Sequence, residues 1–73
     1  MKLEDLKKEI EEAIKDKPSH WRDGQFVFNY IDEKYGVART IQFKDWIDCF
    51  YDDSKIDQFI EKAAQRITEF YEI

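Results

Sequence analysis

Residues 54–71 read Ser-Lys-Ile-Asp-Gln-Phe-Ile-Glu-Lys-Ala-Ala-Gln-Arg-Ile-Thr-Glu-Phe-Tyr. Their apolar members are Ile56, Phe59, Ile60, Ala63, Ala64, Ile67, Phe70 and Tyr71. At 3.6 residues per turn these fall on one arc of about 140°. Lys55, Gln58, Glu61, Lys62, Gln65 and Glu69 take the other side. Neither Gly nor Pro interrupts the run, so it predicts an amphipathic helix that must lay one broad face on other elements. Asp52, Asp53 and Ser54 precede it with N-cap chemistry, and Ser54 with Asp57 resembles a capping box.

Working back from that helix, residues 2–16 show the same period. Leu3, Leu6, Ile10, Ala13 and Ile14 share an arc of about 100°. Glu4 with Lys8 and Glu11 with Lys15 are spaced as favourable i,i+4 pairs, and Pro18 ends the helix. Ser19 is the expected N-cap of a second helix over 20–35, with Gly36 as its left-handed C-terminal cap. Trp21, Gly24, Phe28, Ile31 and Tyr35 fall on one side of it. Gly24 costs about 1 kcal/mol relative to Ala within a helix, so its place on that side implies close approach by another backbone.

Residues 37–51 fit neither period cleanly. Thr40-Ile41-Gln42-Phe43 alternates like a short strand, but a single strand without a partner is unstable. A short helix or helical turns over 37–48 is therefore expected, followed by an irregular link. The fold class predicted is all-α. One domain, residues 1–73, holds three main helices, with a compact aromatic connection (and room for one extra short helix) between the second and last.

Such a short chain buries only about 60% of its unfolded surface, so the core must be dense. Six Phe, four Tyr and two Trp are available for it, each able to bury roughly 150–250 Å². Twelve Lys plus Arg against 17 Asp plus Glu leave a net charge of −5, which argues against direct nucleic-acid binding. A single cysteine, Cys49, and the lack of an apolar run of membrane-spanning length point to a cytoplasmic protein with no membrane partner.

Chemistry-bearing residues are sparse. Cys49 sits in an apolar stretch and His20 is the only histidine; together they fall short of a structural zinc site, and a lone apolar cysteine is ordinarily inert. Asp45, Asp48, Asp52 and Asp53 lack the glycine and spacing of a calcium loop and read as capping or solvated carboxylates. No enzyme activity, cofactor or metal is expected. On the second helix, Arg22, Gln25 and Asn29 stand one above another at i, i+3 and i+7. Two uses are open to them. Arg22 can pair with Asp48 or Asp52 and fasten the connection to the helix. Alternatively, Arg22, Gln25, Phe26 and Asn29 can join Asp48, Tyr51 and Asp52 in a partner-binding surface, with Phe26 or Tyr30 as an aromatic anchor.

The stretches Trp21–Asn29 and Ile47–Ile56 resemble a group of short phage and bacterial hypothetical proteins. The pattern of that group is Arg-x-Gly-Gln-x-x-Phe-Asn, then Asp-Pro-Phe-Tyr-x-Asp and an apolar helix. Arg22, Gly24, Gln25, Phe28, Asn29, Asp48, Phe50, Tyr51 and Asp53 match it, while Cys49 stands where the pattern has proline. The resemblance covers about half the chain and transfers no catalytic residue. It implies a phage-encoded accessory or anti-defence protein that blocks a larger host protein. The alternative is an oligomer that sequesters a nucleotide-like molecule between Arg22, Gln25, Asn29 and Tyr51. Self-association through the first helix is a third expectation.

Overall fold

The computed structural model describes residues 1–71, in the order α1 (Leu3–Ala13), a 3-10 turn (Ile14–Asp16), α2 (Asp23–Tyr35), α3 (Ala38–Lys44), a second 3-10 turn (Asp53–Lys55) and α4 (Ile56–Tyr71). No strand occurs among the described residues. The three long helices are the predicted ones, and the connection holds the extra short helix. α4 is the hub, packing against α1, α2 and α3. The radius of gyration, 11.3 Å, is close to the roughly 11 Å expected of a compact chain of this length.

The core is mostly aliphatic. Leu6 and Ile10 of α1 meet Val27 and Ile31 of α2, Val37, Ala38 and Ile41 around α3, and the inner face of α4 from Phe59 to Ile67. Of the twelve aromatics only Phe28 and Phe59 are buried, their rings 5.5 Å apart. Burial along α4 stops at Ile67, so Phe70 and Tyr71, predicted to share the inner arc, are exposed. The Tyr71 hydroxyl instead donates to the Tyr35 carbonyl at 2.8 Å.

Helix ends depart from expectation in instructive ways. Ser19 does not cap α2. A turn closed by the Trp21 N–H on the Pro18 carbonyl intervenes, and α2 begins three residues later, after an extended Arg22. Its Gly24 N–H is taken by Asp53 Oδ1 at 3.0 Å. A carboxylate 29 residues away thus does what a neighbouring N-cap side chain ordinarily does. Asp52 accepts from the N–H of Ser54 at 3.0 Å and from its hydroxyl at 2.6 Å, so Ser54 is held by Asp52 rather than capping α4 through a box with Asp57. Lys15, in the 3-10 turn after α1, pairs with Glu12 at 3.2 Å rather than with Glu11, because that turn brings i and i+3 into line. Glu4 and Lys8 form no ion pair among the described residues.

Gly24 meets the backbone that its position implied. A β-carbon there would lie 2.0 Å from the Cys49 carbonyl oxygen and 2.7 Å from Asp53 Oδ1. Cys49, fully buried, closes the contact by donating its thiol to the Gly24 carbonyl at 3.3 Å.

Between α1 and α2, Glu9 accepts from the hydroxyls of Tyr30 (2.7 Å) and Tyr35 (2.8 Å) and from Lys34 Nζ (2.7 Å). Burial alone would raise the Glu9 pKa, but the three hydrogen bonds and the Lys34 charge outweigh it and hold the carboxyl below its ordinary range. Burial, followed by the Glu9 contact, pushes the Tyr35 hydroxyl up to about 12.

Gly24→Ala is expected to cost about 2–3 kcal/mol through collision with backbone, seen as a lowered thermal midpoint. Gly36→Ala, whose β-carbon meets open space at φ 71°, should cost only about 1 kcal/mol of left-handed strain. A depressed carboxylate stabilises the fold above its unfolded pKa and loses that effect as pH falls through the folded value. The midpoint difference between wild type and Glu9→Gln should therefore be full at neutral pH, begin to shrink near the ordinary glutamate pKa of about 4.3, and vanish only below the lowered folded value. A difference independent of pH would contradict the tie.

Candidate functional site

The connection between α3 and α4 is shaped by what ends α3. Val37, Ala38 and Ile41 face inward and are fully buried, so the seven-residue helix spends its inner positions on the core and turns Phe43 and Lys44 outward. Helical turns expected through residue 48 stop at Lys44 because Trp46 takes a left-handed conformation, φ 58°. The N–H of Ile47 then turns back towards the Ile41 carbonyl, at 3.5 Å. Glycine or asparagine usually fills such a position; a β-branched or bulky side chain there is strained by roughly 1–3 kcal/mol. Here a tryptophan fills it with 86% of its surface exposed.

Four fastenings hold the rest of the connection. Arg66 of α4 grips Asp45 with two hydrogen bonds, Nε to Oδ2 at 3.1 Å and Nη2 to Oδ1 at 2.9 Å, which holds the Asp45 carboxyl below its ordinary value. Asp48 accepts from the Phe50 N–H and from Gln42 Nε2, both at 2.8 Å. Cys49 seats on Gly24. Arg22 donates Nη2 to the Phe50 carbonyl and Nη1 to the Tyr51 carbonyl, the latter at 3.3 Å. The expected pairing of Arg22 with Asp48 or Asp52 is therefore replaced by a clasp on carbonyls. Both aspartates are engaged locally, by Gln42 and Phe50 in one case and by Ser54 in the other.

Of the seven residues singled out from sequence, Arg22 and Tyr51 come together, the guanidinium carbon lying 6.0 Å from the Tyr51 ring centre. Asp48 and Asp52 shape the loop that carries Tyr51. Phe26 is half-buried and stacks on Tyr30 with centres 5.9 Å apart. Gln25 and Asn29 are half-buried beside it on α2. No hydrogen bond or ring contact joins Gln25, Phe26 or Asn29 to the connection among the described residues.

What the connection does present is a set of exposed aromatic rings, of which sequence reasoning singled out Tyr51 but not Phe43. Phe43 is 69% exposed, Tyr51 75% and Trp46 86%. Phe43 and Tyr51 flank a cleft of about 240 Å³ lined also by Phe28, Phe50, Arg39 and Gln42. Phe28 meets Phe50 edge-on at 5.5 Å, and Phe50 meets Tyr51 at 4.7 Å, so the aromatic rings run continuously from core to surface. The one sequence signal for Phe43 was its exclusion from the i, i+3, i+4 set of Val37, Ala38 and Ile41.

Burial, with the charges of Asp48 and Asp53, pushes the Cys49 thiol up to about 12, so it is protonated at neutral pH. No group of three or more His, Cys, Asp or Glu side chains is placed to hold a metal among the described residues. No helix among them is long and apolar enough to cross a membrane.

Comparison with family models, with curated proteins and with solved structures produced no match to this chain.

Proposed function

We propose that the protein is a non-enzymatic, cytoplasmic binding module that engages a larger protein stoichiometrically through the exposed aromatic rings of the α3–α4 connection, Phe43, Trp46 and Tyr51. One observation carries this reading: a bulky residue occupies a strained left-handed position and yet is almost wholly in solvent. Inside a free monomer that arrangement gains nothing, because the strain is incurred without burying the indole. Against a partner it supplies a large, rigid anchor of the kind that dominates interface energetics. Arg22 and Asp48 act by holding the loop that displays Tyr51. The resemblance to phage-encoded proteins supports a host protein as the partner and blocking as the mode of action.

The second reading, sequestration of a nucleotide-like molecule, has a cleft in its favour, but of its four expected residues only Tyr51 lines it, with Arg39 there instead of Arg22, Gln25 and Asn29. A volume of about 240 Å³ lies below the roughly 300–1,000 Å³ of pockets that bury most of a small ligand. A second copy of the chain would have to complete it.

Capture from host lysate, followed by titration with the purified partner, tests the leading reading. Trp46→Gly should weaken partner binding at least about tenfold while leaving the thermal midpoint unchanged or a few degrees higher, since glycine relieves the left-handed strain. Phe43→Ala should weaken binding without loss of helical circular dichroism. Arg22→Ala should lower both binding and stability, because two loop carbonyls lose their donor. Undiminished binding by Trp46→Gly and Phe43→Ala together would sink the aromatic-face reading. A saturable thermal shift with nucleotides, and no captured protein, would put sequestration first.

A further inference from the structure

The geometry points to a second docking surface, separate from the aromatic face: a groove between α1, α2 and α4 that takes an aliphatic side chain from a basic amphipathic helix. The groove has a volume of about 320 Å³, and its apolar lining is wholly aliphatic: Ile10, Ile14, Val27, Ile56 and Ile60. It shares no lining residue with the aromatic cleft. Ile14 and Ile56 remain half-exposed there, so the seam between the helices is not closed by the chain's own side chains.

Charge chooses the occupant. Four charged residues rim the groove, and three are acidic: Glu11, Asp23 and Asp57 against Lys7. Lys17 lies 3.7 Å from Asp23 and offsets that carboxylate in part. Glu11 and Asp57 are exposed and have no cation within ion-pair distance among the described residues. The net charge of −5 gives the whole molecule the same sign as the rim. Local contacts and long-range steering therefore both favour a cationic partner and oppose an acidic peptide, a nucleic acid or a second copy of this acidic chain. An aliphatic floor without aromatic walls suits Leu or Ile at helical spacing, and flanking Lys or Arg of the same helix would reach Glu11 and Asp57.

The probe is a capped peptide of about twelve residues, built from Leu, Ala and Lys with Leu at i and i+4. It is titrated into protein with isotope-labelled isoleucine methyls. Saturable shifts are expected at Ile10, Ile14, Ile56 and Ile60, with Ile31, Ile41, Ile47 and Ile67 as internal controls. The same peptide with Glu in place of Lys should give no saturable shift. The double variant Glu11→Lys, Asp57→Lys should bind the Lys peptide about tenfold more weakly. Should that variant lose its helical spectrum, Glu11→Gln with Asp57→Asn serves in its place, with a smaller loss expected. Equal response to the two peptides overturns the proposal, as do shifts centred on Ile41 and Ile47 or no saturable shift at all. Because the aromatic face is untouched in both variants, these outcomes are distinguishable from failure of the aromatic-face reading.

Discussion

The Cys49 carbonyl oxygen lies 2.0 Å from where a β-carbon of residue 24 would be, so the connection seats on α2 only because residue 24 is glycine. The contact is reciprocal: Cys49 returns its thiol proton to the Gly24 carbonyl, and Asp53 takes the Gly24 N–H. With that point fixed, Arg22, two residues earlier, reaches the next two carbonyls of the loop. Phe50 is then brought edge-on to Phe28, and Tyr51 is left outside. The irregular part of the chain thus has a defined shape without a glycine or proline of its own.

Long helices with a sustained period were legible, because burying one face of α4 or α1 demands an apolar residue at every third or fourth position. The close approach at Gly24 was legible too, since glycine in a helix interior carries a cost that needs a reason. The start of α2 was not. Local chemistry nominated Ser19, whereas the cap in use comes from Asp53, and sequence spacing carries no sign of a partner so remote. Arg22 illustrates a related limit. Its role as a fastening could be inferred, but its acceptors are backbone carbonyls, which every residue possesses and no side chain announces. The exposure of Phe43 was hidden because α3 is under two full turns, too short for a wheel to separate an inner from an outer face.

The small size of the chain explains the division of its apolar residues. Aliphatic side chains fill the narrow space between helices, where small Ala63 and Ala64 let α4 sit close to its neighbours. Most aromatic rings are left at the margin, some using a polar tip for hydrogen bonds, as Tyr30 and Tyr35 do with Glu9. The outcome is a surface with two characters: rings around an arginine on the α3 side, and isoleucines ringed by carboxylates along the α1–α4 seam.

The remote cap on α2 also bears on how the chain acquires its shape. An isolated helix of thirteen residues is marginal in water, and one with glycine in its first turn and no adjacent cap is weaker still. Asp53 can reach Gly24 only after the intervening loop has closed across α3, and that closure depends on the surface α4 offers. The order of α2 is therefore tied to a segment 29 residues away, and removing that segment takes away a cap as well as a packing surface.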